Sequence, residues 1–271
     1  MPNPLAFLAE SSVAVKIAAF FLAWIIIWLP IAIPLAIALQ WHPPKPLQTE
    51  QKLPLVLSLY VLAPLVLWGA AQIDNLPFSD YGITWESSFL VSLAIGLGLG
   101  LGGLVFLFGI ESWLDWLDWQ WENWRQIIRF LLPLLVVGLL VSIIEELVFR
   151  GFLLNQLQQA FHPWIAALSS SLIFALLHLV WEGKEALPQL PGLWLMGMVL
   201  VVARWVDGGS LGLAIGLHAG WIWGMASLDS AQLIHYKPHS PDWMIGRSGK
   251  PLAGGMSLLM LLATALALWN L

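Results

Sequence analysis

Two adjacent carboxylates and an arginine pose the first chemical question in this sequence. The stretch Ser142-Ile143-Ile144-Glu145-Glu146-Leu147-Val148-Phe149-Arg150-Gly151 closes an apolar run and puts Glu145 and Glu146 near or below the level of bilayer headgroups. Ionised groups at that depth are costly, so they are expected to face a bundle interior with a partner and to serve a function. Glu146 precedes Arg150 by four residues, the favourable order for an ion pair on one helix face, and Arg150 can hold Glu146 ionised. Glu145 points about 100° away, with Phe149 one turn on, and needs a partner from another helix. One reading makes it a general base or acid. The plainer one has both glutamates pair with Arg150 to fix helix packing.

Two histidines widen the set. Phe174 and His178 share a face of an otherwise apolar run, and His218 stands among Gly212, Gly216 and Gly220, where another helix can approach closely. Each alone is as readily structural as functional. Two carboxyl groups and two imidazoles on three separate runs can, however, converge on one polar cavity. There a glutamate can take a proton from water while an imidazole orients that water or stabilises a developing oxyanion. The same four groups could hold a divalent metal, but the HExxH helix of zinc metalloproteases is absent, so no cofactor is expected and a metal stays open. His42, His235 and His239 fall in predicted loops, and His162 precedes Pro163 at a run start. No Gly-x-Ser-x-Gly elbow is present, which disfavours a serine hydrolase.

The elements that must position these groups are apolar runs near 13–39, 53–72, 88–110, 127–149, 163–181, 192–206, 210–228 and 253–270. Pro30 and Pro34 predict a kink or early end in the first, and His42 to Pro46 a loop. The first run is too long for a cleaved signal and reads as a retained span. Gly96, Gly98, Gly100, Gly102 and Gly103 predict close helix packing in the third run; a phosphate loop would need a following Lys and Ser or Thr. Asp115, Asp118, Glu122, Arg125 and Arg129, opposed to Trp113, Leu117, Trp121 and Trp124, predict an amphipathic helix lying in the interface. Asp207-Gly208-Gly209 reads as a turn.

Composition sets the solvent. The 271 residues are 59% hydrophobic and 10% charged, with mean hydropathy +0.83, which is outside the soluble globular range. The fold class expected is all-α: a polytopic transmembrane helix bundle of about eight spans plus the interfacial helix, one membrane domain over 1–271. Many of the 18 Trp lie near run ends, as aromatic belts require. A net charge of −5 without a basic tract excludes nucleic acid as a partner and leaves the lipid bilayer. The absence of cysteine removes thiolate chemistry and disulfides.

Glu145-Glu146-x-x-x-Arg150, then Phe174-x-x-x-His178, then His218 in a glycine-rich run resemble the three motifs of the CAAX protease and bacteriocin-processing family of intramembrane glutamic endopeptidases, with a family-like core over 127–228. The resemblance implies that Glu145 activates water, that His178 orients it, that Glu146, Arg150 and Phe174 support the site, and that His218 stabilises the oxyanion. In the family the residue four after that histidine is usually Asn or Asp, and here it is Ile222. A lost oxyanion donor costs roughly 100- to 1000-fold in rate unless another replaces it, and Trp221 or Trp223 could offer an indole N–H.

The expected function is hydrolysis of a membrane-associated peptide or protein by glutamate-activated water. The alternative is a catalytically impaired relative acting as a membrane scaffold or chaperone. A transporter would be expected to show inverted repeats or paired broken helices, which are absent. If all eight runs cross, Lys45, Lys52, Arg125, Arg129, Lys184, Lys237, Arg247 and Lys250 share one side, cytoplasmic by the positive-inside rule. The glutamates, read at the end of the fourth run, would then lie toward the other side. The family's eukaryotic branch works from the cytosolic face, so the two indications disagree.

Overall fold

The computed structural model describes residues 4–42, 45, 47–246 and 250–270. Each apolar run becomes a helix. After the short α1 (Pro4–Ala9) come α2 (Val13–Ala38), α3 (Thr49–Asp74), α4 (Ser87–Trp113) and α5 (Trp124–Glu146). A π-helical segment, Leu147–Leu153, and α6 (Leu154–Gln158) continue α5. Then follow α7 (Pro163–Glu182), α8 (Leu190–Val206), α9 (Gly212–Ser230), α10 (Asp242–Ile245) and α11 (Gly255–Trp269). Among the described residues five helical stretches are long and apolar enough to cross a membrane: Val13–Ala38, Glu50–Asp74, Ser87–Trp113, Trp121–Gln158 and Pro163–Val206, the last holding two of the eight runs. Gly255–Trp269 is apolar but shorter. α9 is not among the five, because His218, Asp229 and its glycines dilute its hydropathy. It can be so because it is enclosed by its neighbours, buried from Gly212 through Trp221.

The outward faces are aliphatic, with Ile26, Val61, Val105 and Leu132 exposed. In a membrane such side chains meet lipid tails, so helix association rests on packing and polar contacts instead of on burial from water. Glycine provides the packing. A Cβ on Gly216 would stand 2.1 Å from Leu93 O, and one on Gly96 2.3 Å from Leu213 O. Gly100 and Gly220 face each other's helices in the same way, so the α4 and α9 backbones touch along their length. Gly98 and Gly102, expected to share in this, face open space. His218 projects from the side of α9 opposite Gly216 and Gly220, so the glycine seam presses the histidine toward α5.

Polar pairs mark the two ends. Lys16 and Asp74 (2.6 Å) join the start of α2 to the end of α3, with Ser92 and Asp207 (2.6 Å) at the same end. At the other end Lys52 meets Glu182 (3.4 Å) and Lys250 meets Glu185 (3.1 Å). Asp207-Gly208-Gly209 is a turn as expected, and the Asp207 carboxylate also accepts from Leu213 N to cap α9.

Three expectations are corrected. α2 does not end early at Pro30 or Pro34 but stays helical through both to Ala38. Of the following loop, Pro43, Pro44 and Pro46 lie outside the described residues, as does Arg247 of the basic set. The interfacial amphipathic helix does not form. Asp115 adopts φ 62°, which ends α4, and Leu117–Trp119 becomes strand β1, paired antiparallel with β2 (Ile234–Tyr236). Lys237 reaches both Asp115 (2.5 Å) and Asp118 (3.2 Å), so a partner far along the chain neutralises the acidic run that helical spacing had assigned to one face. Of the charged residues, Arg125 and Arg129 lie in the first turns of α5 and Glu122 in a 3-10 turn, Trp121–Asn123, just before it. Finally, Glu145 and Glu146 do not sit at a helix end, since the π segment and α6 carry the rod onward and leave them well inside the bundle.

Candidate active site

The π segment is the local feature on which the site is built. Seven residues of wider winding leave main-chain carbonyls off the usual ladder, and side chains from neighbouring helices take them up. Ser170 of α7 donates to Phe149 O (3.0 Å). Arg204 of α8 donates to Arg150 O, to Asn155 Oδ1 (2.8 Å) and to Gly209 O (3.0 Å). A Cβ on Gly151 would lie 3.0 Å from Tyr81 O, so the segment also packs tightly against the α3–α4 connection.

The structure brings the six sequence-predicted residues together. Arg150 Nη1 donates to Glu146 Oε1 (2.9 Å), both side chains being fully buried. His218 Nδ1 lies 2.8 Å from the same oxygen; because a carboxylate only accepts, this nitrogen carries the proton. His218 Nε2 is 3.7 Å from Glu145 Oε2, so the ring stands between the two carboxylates. Arg150 lies over the Phe174 ring (4.5 Å) and donates to Gly197 O (3.2 Å). Phe174 packs edge-on against His178 (4.7 Å) and His218 (6.2 Å). Its role is thus spatial: it separates the two imidazoles and covers the guanidinium.

The pairing of Glu146 with Arg150 matches the expectation from spacing. Glu145 does find its partner on another helix, and that partner is Tyr60 of α3, whose hydroxyl donates to Glu145 Oε1. His178 Nδ1 donates to Phe174 O (2.9 Å), because a carbonyl cannot donate; in the neutral ring Nε2 is then a bare acceptor.

Glu145, His178 and Tyr60 line a cavity of about 410 Å³ between α2, α3, α5 and α7, walled by Trp24, Trp28, Phe149 and aliphatic side chains. Lys52 and Glu182 close its polar end. Glu146, Arg150 and His218 lie behind this wall. Among the described residues no three carboxylate, imidazole or thiol groups are arranged to hold a metal.

Ile222 packs on α5, with its Cγ2 3.5 Å from where a Cβ of Gly138 would be. The indole donors considered in its place are not at the cavity: Trp223 donates to Leu131 O (2.8 Å), and Trp221 Nε1 faces Gly103. His162 caps α7, accepting from Trp164 N, and His42, His235 and His239 are exposed. Sequence reasoning missed Tyr60 and Arg204. The signal for Tyr60 was available, since it is one of only three tyrosines and the lone ionisable group within the apolar body of its span. Arg204, at the end of its run, looked like an interfacial cation.

Fold and cluster together define an integral membrane protein that encloses paired carboxylates and imidazoles beside a cavity. Residues 127–224 match the family model described as "Rce1-like: Type II CAAX prenyl endopeptidase Rce1-like". That match places this segment in the CAAX protease and bacteriocin-processing family, a family of CAAX-type intramembrane proteases. No curated protein and no solved structure matches the chain significantly.

Proposed function

We propose that this chain is a multi-pass intramembrane endopeptidase, with its catalytic core in residues 127–228, that hydrolyses a peptide bond of a membrane-associated peptide or protein with water activated by Glu145. The observation that carries the reading is the shared cavity: Glu145 and His178 both line it, while Arg150 is held behind the wall and Lys52 is paired with Glu182 at the mouth. Water held between His178 Nε2 and Glu145 gives its proton to Glu145 as its oxygen attacks the carbonyl carbon. The tetrahedral intermediate collapses with C–N cleavage, and the proton on Glu145 passes to the leaving amine. Arg150 and His218 both engage Glu146 behind the wall, which leaves an edge of Glu145 facing the cavity to act as base. His218 serves the oxyanion only if Glu145 moves aside, because its ring is absent from the cavity wall.

The cavity's polar end, at Lys52 and Glu182, belongs to the basic end of the bundle, which the positive-inside rule makes cytoplasmic. The earlier disagreement over sides came from reading the glutamates at a helix end. With the glutamates internal, access from the basic end agrees with cytosolic processing in the family's eukaryotic branch.

The test is purified protein in lipid nanodiscs with a peptide library, comparing wild type, Glu145→Gln, His178→Ala and Ile222→Asn. Cleavage by wild type, lost in Glu145→Gln and reduced in His178→Ala, supports the reading. Cleavage by Ile222→Asn alone would favour the scaffold or chaperone, whose supporting observation is Ile222 packed on Gly138. Loss of activity with chelator that zinc restores would require a metal.

A further inference from the structure

We propose that Tyr60 is a catalytic residue that supplies the oxyanion donor missing at Ile222; this rests on the glutamate mechanism above. Tyr60 lies on α3, outside the segment 127–224, so no family motif contains it.

Three observations converge. The Tyr60 hydroxyl is hydrogen-bonded to Glu145 Oε1, and both groups line the cavity with His178. The residues expected to stabilise an oxyanion face elsewhere: Ile222 packs on Gly138, Trp223 is engaged by Leu131 O, and His218 is enclosed behind Glu145. Other donors on the wall are engaged. Trp24 Nε1 donates to Leu59 O (2.9 Å), Trp28 Nε1 donates to Ser58 Oγ (2.9 Å), and Lys52 is paired at the mouth. Trp181 stands beside Glu182, edge-on to Trp28.

The chemistry follows the charge. Before reaction the phenol donates to the Glu145 carboxylate. When water attacks, its proton goes to Glu145 and the carbonyl π electrons go to the substrate oxygen, so the negative charge leaves Glu145 and appears on that oxygen. A neutral carboxylic acid is the weaker acceptor, and the Tyr60 O–H turns to the oxyanion. When the intermediate collapses, the C=O bond re-forms, the C–N bond breaks, the Glu145 proton moves to the amine, and Tyr60 returns to the carboxylate. The hydroxyl keeps its own proton throughout. A donor that rests on the general base is thus already in place for an oxyanion forming beside that base.

The experiment measures steady-state cleavage of one peptide by wild type, Tyr60→Phe, Glu145→Gln and protein with 3-fluorotyrosine at position 60. Expected for Tyr60→Phe is a fall in kcat of roughly 100- to 1000-fold with little change in KM and an unchanged unfolding midpoint. The fluorinated side chain, a stronger donor of nearly equal size, should match or exceed the wild-type kcat. If Tyr60→Phe turns over like wild type while Glu145→Gln is inactive, Tyr60 has no such role and the glutamate mechanism stands. A loss confined to KM or to unfolding would make Tyr60 structural and overturn the proposal. Should Tyr60→Phe fail to fold, a kcat that ignores fluorination overturns it as well. If wild type does not cleave, or Glu145→Gln cleaves equally, the mechanism itself fails and Tyr60 falls with it.

Discussion

The two sides of α5 are built in opposite ways. Toward the first half of α9 the bundle is dense: glycines bring α4 and α9 into backbone contact, and Glu146, Arg150 and His218 are buried with almost no exposed surface. Toward α2, α3 and α7 it stays open, with an aromatic-walled cavity reached by Glu145, His178 and Tyr60. Density and charge go together on one side because a buried ion pair is tolerable only where geometry and hydrogen bonds are held fixed. Space and the Glu145 edge go together on the other, because hydrolysis needs room for water and a peptide.

The largest effect is expected from the dense side. Arg150→Met leaves Glu146 without its cation, and breaking a buried pair in this way costs about 3–5 kcal/mol. Folded protein should largely disappear in detergent unfolding assays, and cleavage with it. Next, Glu145→Gln should lower kcat by roughly 100- to 10,000-fold while leaving the unfolding midpoint in place, since the amide keeps the size of the carboxylate. Were the two variants to behave alike in both assays, the division between a structural and a reactive side would be lost.

Smaller is the effect of Gly216→Val, whose Cβ would meet Leu93 O at 2.1 Å. Overpacking of this kind costs about 1–3 kcal/mol, and by shifting α9 it should also reduce cleavage through His218. A thermal melt and a rate measured together sharpen the comparison, because the seam is far from the cavity. The smallest change is expected at the ribbon. A hydrogen bond and charge from Lys237 hold the Asp115 carboxyl below its ordinary value. The pairing is therefore present above the ordinary aspartate range and lost as pH falls through the lowered value. Asp115→Asn should leave cleavage unchanged and speed hydrogen exchange only at the ribbon amides nearest it, first that of Lys237, which donates to Trp116 O.

Local order made much of this protein legible in its sequence. The eight apolar runs, the Glu146–Arg150 pair at four-residue spacing, the shared face of Phe174 and His178, and the small-residue approach at Gly96 and Gly100 all follow from helical periodicity. Helical hydrogen bonds are local, and a nonpolar solvent enforces them. Tertiary structure alone decided the rest. The acidic stretch at Asp115–Asp118 became a strand because Lys237 and β2 arrive from far along the chain. The π segment keeps Glu145 and Glu146 off a helix end, and its carbonyls depend on Ser170 and Arg204 from other helices. Tyr60 meets Glu145 only because α3 packs beside α5, a contact between segments that no local pattern encodes.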